Sequence, residues 1–226
     1  MYSDVMLIPI LLAFGLSLWA QFRVKGTFNK WAKVQNLYGL TGHDAARRML
    51  DANGLYDVPI EPVHGALTDH YDPIHRVVRL SEPVYYESSI SAVAVACHEV
   101  GHAIQHKQKY PMLVLRHRMF PVVNFASGVA PFLLLAGFLF GALNLIGLGI
   151  IFFSAAVLFQ IVTLPVEFNA SNRARKIMLQ QGFISPNEAR GVGKVLNAAA
   201  LTYVAAALIS ILELLRYILI FTSNRE

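Results

Sequence analysis

From Phe120 to Val166 the sequence carries no charged residue, and no other feature limits the possible folds as strongly. At about 1.5 Å of rise per residue, roughly 20 residues cross a hydrocarbon core of about 30 Å, so this run is long enough for two crossings. The turn between them is expected around Gly141 to Gly147. Pro131 should kink the first crossing, and Pro165 should bend or restart the helix at the end of the second. Val5 to Phe22 is also free of charge, and the cations Arg23, Lys25, Lys30 and Lys33 follow it. A cleaved signal peptide has the opposite order, so residues 1–22 are predicted to form a first transmembrane helix. The apolar stretch from Ala198 to about Phe221 gives a fourth, within 198–226.

Composition agrees with a membrane chain, since 55% of residues are hydrophobic and only 15% charged. Such a balance excludes intrinsic disorder and argues against a purely soluble protein. The net charge of +5 is not gathered into a basic face with stacking aromatics, so no nucleic-acid partner is expected. Cys97 is alone and cannot form an intramolecular disulfide. All but Arg216 and Arg225 of the 19 Lys and Arg residues lie in 23–119 or 165–197. Under the positive-inside rule both polar segments, 23–119 and 167–197, face the cytoplasm and both termini lie outside.

Within 23–119, Thr41 and Asp44 predict a capped helix over 42–52, ended at Asn53-Gly54. Two β-rich stretches, 58–63 and 76–80, predict a small hairpin sheet with turn chemistry at His64-Gly65 and Tyr71-Asp72-Pro73. A helix should start after Ser88 or Ser89 and end by Pro111. In the second polar segment a helix over about 166–181 should stop at Gly182. Ser185-Pro186-Asn187-Glu188 then reads as a capping box for a helix running unbroken to Phe221.

The sharpest chemical signal is His98-Glu99-Val100-Gly101-His102. On a helix the two histidines are four apart, so both imidazoles leave one face and can hold a zinc ion, with Glu99 placed to act on water as general base. A catalytic zinc needs a third protein ligand and an open position. His106 continues the same face, but three ligands on one straight helix are spread over some 12 Å of rise, too far for one ion. Gln105 and Gln108 stand where the extended zincin pattern would need glycine and histidine. Glu167, at the edge of an apolar run where an unpaired carboxylate is expensive, is the best third ligand; a carboxylate at a helix start, favoured by the dipole, is the alternative. His64, His70 and His75 lack ligand spacing and read as solvated loop residues. Tyr85 and Tyr86 read as strand-end packing, Glu213 and Arg216 as an intramembrane ion pair, and Arg173 and Arg175 as partners for an oxyanion or for lipid headgroups.

Three runs carry a resemblance: Ala94 to Gln105 around the histidines, Leu164-Pro165-Val166-Glu167-Phe168-Asn169-Ala170-Ser171, and Val195 to Ala205. Together they resemble the YugP-type neutral zinc metallopeptidases of bacterial membranes, over most of the chain, and more distantly the HtpX group. The resemblance implies that Glu167 is the third ligand. In HtpX-type chains an acid four residues later orients a zinc histidine, whereas this chain has Ser171.

The expected architecture is a mainly α-helical integral membrane protein with four transmembrane helices and a small cytoplasmic zincin-like α+β domain, in a bacterial plasma membrane. Zn2+ held by His98, His102 and Glu167 would acidify water to a pKa of about 7, and Glu99 would serve as base in peptide-bond hydrolysis. The expected partners are protein or peptide substrates and the bilayer. The sheet edge near Arg76 to Leu80 could pair with an extended substrate. An intramembrane protease fits less well, because the apolar run ahead of His98 is too short to cross. A non-catalytic scaffold with a structural zinc is the rival of another class.

Overall fold

The computed structural model describes residues 2–223; Met1 and residues 224–226, which hold the ends of the expected topology, lie outside the described residues. The elements are α1 (Tyr2–Ala32), α2 (Gly42–Ala52), β1 (Ile60–Val63), β2 (His70–Asp72), β3 (Val77–Ser81), α3 (Glu82–Tyr86), α4 (Ile90–Lys107), α5 (Pro111–Phe140), α6 (Leu143–Gln180) and α7 (Ala189–Ser223). They divide into two compact units. One comprises Met1–Gln21, Val114–Pro165 and Leu201–Glu226, the other Phe22–Leu113 and Val166–Ala200.

In the first unit, α5 and the apolar portions of α1, α6 and α7 are long and apolar enough to cross a membrane. Leu12, Phe132, Leu139 and Phe140 are exposed on it, a surface suited to hydrocarbon, where helices satisfy every backbone group internally. Small residues bring α5 and α6 together. A Cβ at Gly137 would lie 2.8 Å from the backbone nitrogen of Ile146, and one at Gly149 only 2.8 Å from the Leu134 side chain. The turn between them is tighter than expected, confined to residues 141–142, because Gly141 adopts φ +62° and the Ala142 amide donates to the Gly137 carbonyl. That is a Schellman closure, which needs no longer loop. Pro165 does not restart the helix: α6 runs through it unbroken, as membrane helices with packed neighbours allow. Likewise α1 continues past Phe22 to Ala32, since Arg and Lys are good helix formers. The Glu213–Arg216 pair is present, at 3.7 Å on one face of α7.

The second unit is built around α4. Ser89 caps it, its Oγ accepting from the Ala92 amide at 3.1 Å, and Val93, Ala94, Ala96, Cys97, Val100 and Ile104 are buried along it. They join a core with Met49 and Leu50 of α2, Val78 and Leu80 of β3, Met178 of α6 and Val192 of α7. Helix α2 has the expected bounds and a reciprocal capping box between Thr41 and Asp44. The loop ahead of α7 is closed by Glu188, whose carboxylate accepts from the amides of Ser185 and Leu37, both at 2.7 Å. At one point α4 and α6 meet backbone to backbone: a Cβ on Gly101 would sit 2.7 Å from the Ala170 carbonyl oxygen. Only glycine permits that approach, and it lies between the two histidines of the motif.

The sheet differs from the expected hairpin. Its order is β1-β3-β2, with β1 parallel and β2 antiparallel to β3. Tyr71 and Asp72, read as turn residues, belong to β2. The turn comes next, where Asp72 Oδ1 accepts from the amides of Ile74 and His75 at 2.9 and 3.1 Å, a local mimic of backbone turn bonding. The stretch expected to offer a free edge, Arg76 to Leu80, supplies the central strand instead, paired on both sides. The open edges are β1 and β2.

Candidate metal centre

His98 and His102 leave α4 one turn apart, with ring centroids 4.8 Å apart and planes at 88°. Glu167 comes from α6, two residues beyond Pro165, and is only 3% exposed. Its Oε2 lies 3.3 Å from His98 Nε2 and 3.5 Å from His102 Nε2. One ligand atom from each of the three residues lies within 4.8 Å of the others, and among the described residues this is the one such group of histidine, cysteine and carboxylate side chains. Donors bound tetrahedrally to zinc at about 2.0–2.1 Å stand about 3.3–3.4 Å apart. The two carboxylate–imidazole spacings therefore suit a zinc ion, and two imidazoles with one carboxylate leave a fourth position open.

Because α6 begins at Leu143, Glu167 lies deep inside a helix. The alternative of a helix-start carboxylate favoured by the dipole is thereby removed. Burial works against the charged form of His102, but its hydrogen bond to Glu167 and the charge of that carboxylate raise its pKa above the ordinary imidazole value. Glu99 follows His98 on α4 and is 9% exposed. Burial raises its carboxyl above the usual range, against the pull of the nearby His98 and His102. A carboxylate destabilised in this way is a better proton acceptor than one in water.

Each histidine is held from behind. Ser171 Oγ lies 3.1 Å from His98 Nδ1, so the hydroxyl at the position where an acid was expected orients the ring without adding charge. Gln105 Oε1 lies 3.0 Å from His102 Nδ1. Sequence reasoning passed over Gln105 as a ligand that is missing. Its spacing of three from His102 on a buried helix face was the signal that it touches that ring.

The remaining candidates have other partners. His106 Nδ1 meets the Tyr71 hydroxyl at 2.8 Å and is not one of the three clustered donors. His64 pairs with Glu82 at 3.0 Å, His70 with the Thr68 carbonyl at 2.9 Å, and His75 with Asp72 at 2.7 Å. Tyr85 packs on the core with its ring 4.8 Å from that of His43 and 4.7 Å from that of Tyr86, which is exposed. Arg173 is engaged by Asn169 and Gln108 and lies over the Tyr110 ring.

A family model described as "Putative neutral zinc metallopeptidase" matches residues 6–222. The chain is 68% identical over 214 residues to a protein of Bacillus subtilis (strain 168) named "Putative membrane protease YugP", covering 95% of each chain. No solved structure matches.

Proposed function

The chain belongs to the neutral zinc metallopeptidase family, and from that membership and the geometry of its three clustered donors we propose a membrane-embedded metalloendopeptidase, acting at the cytoplasmic face of a bacterial plasma membrane. The observation that carries this reading is the spacing of His98, His102 and Glu167, at 3.3 and 3.5 Å between carboxylate and imidazoles. Zinc, when bound there, supplies Lewis acidity toward water and a peptide carbonyl. The chain's own residues supply the rest. The two Nε2 atoms and the Glu167 carboxylate would hold the ion, and Ser171 and Gln105 orient the rings. Glu99 removes a proton from the attacking water as its oxygen adds to the carbonyl carbon. When the C–N bond breaks, Glu99 returns that proton to the leaving amine, so the reaction consumes one water and leaves the enzyme unchanged. Of the open sheet edges, β2 packs against α4 and is the better candidate to pair with an extended substrate backbone.

Purified protein is expected to cleave an unstructured polypeptide, to stop when zinc is chelated, and to recover when zinc is restored. Hydrolysis that persists in excess chelator would rule the mechanism out. The orientation rests on the distribution of Lys and Arg. A reporter near Asn53 should therefore be cytoplasmic and tags at Met1 and Glu226 extracytoplasmic; a cytoplasmic Met1 tag would reverse the placement.

A further inference from the structure

Gln105 is fully buried and uses both ends of its amide. Its Oε1 lies 3.0 Å from His102 Nδ1, while its Nε2 donates to the Val166 carbonyl at 2.8 Å and to Asn169 Oδ1 at 2.9 Å. The two ends cannot be exchanged. The Val166 carbonyl can only accept. Asn169 Oδ1 is fixed as an acceptor by Arg173, whose Nε donates to it at 2.6 Å, because a guanidinium has no accepting atom. The amide nitrogen must therefore face α6, and the oxygen must face His102. An oxygen at Nδ1 requires that nitrogen to carry a proton, so when the ring gives up its other proton to bind a metal, the lone pair freed is on Nε2, the atom 3.5 Å from Glu167.

We propose that Gln105 is a positioning residue that fixes His102 as the Nδ1–H tautomer and ties its ring to the backbone immediately before Glu167. One side chain on α4 thus sets the register between ligands that come from two helices. Asn169 and Arg173 stand behind it and keep its amide from turning over. This inference rests on the zinc reading above.

Outer partners of metal-binding histidines are worth about 10–100-fold in metal affinity, and folded Gln105→Leu is expected to lose zinc affinity in that range by chelator competition. In zinc-loaded protein with 15N-labelled histidine, two Nδ1–H resonances are expected at the site. Gln105→Leu should move one and Ser171→Ala the other. Asn169 provides a second pair of variants should Gln105→Leu not fold: Asn169→Asp, which can only accept, should keep wild-type affinity, and Asn169→Leu should weaken it. A purely structural role would lower thermal stability without changing either readout. Wild-type zinc affinity and unmoved resonances in folded Gln105→Leu, or equal affinity in the two Asn169 variants, would overturn the proposal. If the wild type bound no zinc, the zinc reading would fall. The Gln105–His102 bond would then be judged on the metal-free protein, where an unmoved imidazole resonance in Gln105→Leu overturns it.

Discussion

Glu99→Gln is expected to retain zinc at the wild-type level while peptide hydrolysis falls by about 100- to 10,000-fold, the usual worth of a positioned general base. The two halves of this result have separate causes. The Glu99 side chain is not among the three clustered donors, so an isosteric amide leaves the metal's ligands intact. The amide cannot accept the proton that the carboxylate takes from water. Metal analysis and hydrolysis of a labelled polypeptide, measured on the same preparation, check both halves. Full activity in Glu99→Gln would mean that Glu99 is not the base, whereas wild-type protein that holds zinc but hydrolyses nothing would leave a scaffold with a structural zinc as the better reading.

Glu167→Ala should cost zinc more than any change outside the ligand set. Loss of an outer partner weakens metal binding by about 10–100-fold, so loss of one of three protein donors should exceed about 100-fold and abolish hydrolysis with it. Glu167→Asp keeps a carboxylate but withdraws it by one methylene, and should retain a fraction of the metal in poorer geometry. His106→Ala is the control. That imidazole is bonded to the Tyr71 hydroxyl, so its removal should leave zinc content unchanged. Zinc content of the three variants in detergent, each first shown to be folded, decides among them. Normal zinc in Glu167→Ala would mean that the third ligand lies elsewhere.

Much of this could be read along the chain, and what could not has identifiable physical causes. The four long helices followed from uninterrupted apolar runs, and α2 from Thr41 and Asp44, because those signals are local. The spacing of His98 and His102 was enough to put both rings on one face. That Glu167 lies beside them was inferred from the cost of an unpaired carboxylate at the edge of a membrane segment and from resemblance. The contact itself depends on Gly101, whose missing side chain lets α4 reach the Ala170 backbone, a fact of tertiary packing that periodicity does not encode. The sheet was misread for a similar reason. Nothing in the composition of 58–63 and 76–80 tells a hairpin from a parallel pair with β2 closing the other side, since strand partners are chosen by long-range packing. Gln105 was missed because its function lies in two hydrogen bonds to a helix about sixty residues away.

The most direct test of a zinc centre formed by His98, His102 and Glu167 is an anomalous difference map recorded at the zinc absorption edge, on crystals of the full chain purified without chelator. One peak per chain, within bonding distance of the two Nε2 atoms and the Glu167 carboxylate, is the expected result. No peak, or a peak held by other residues, would contradict it.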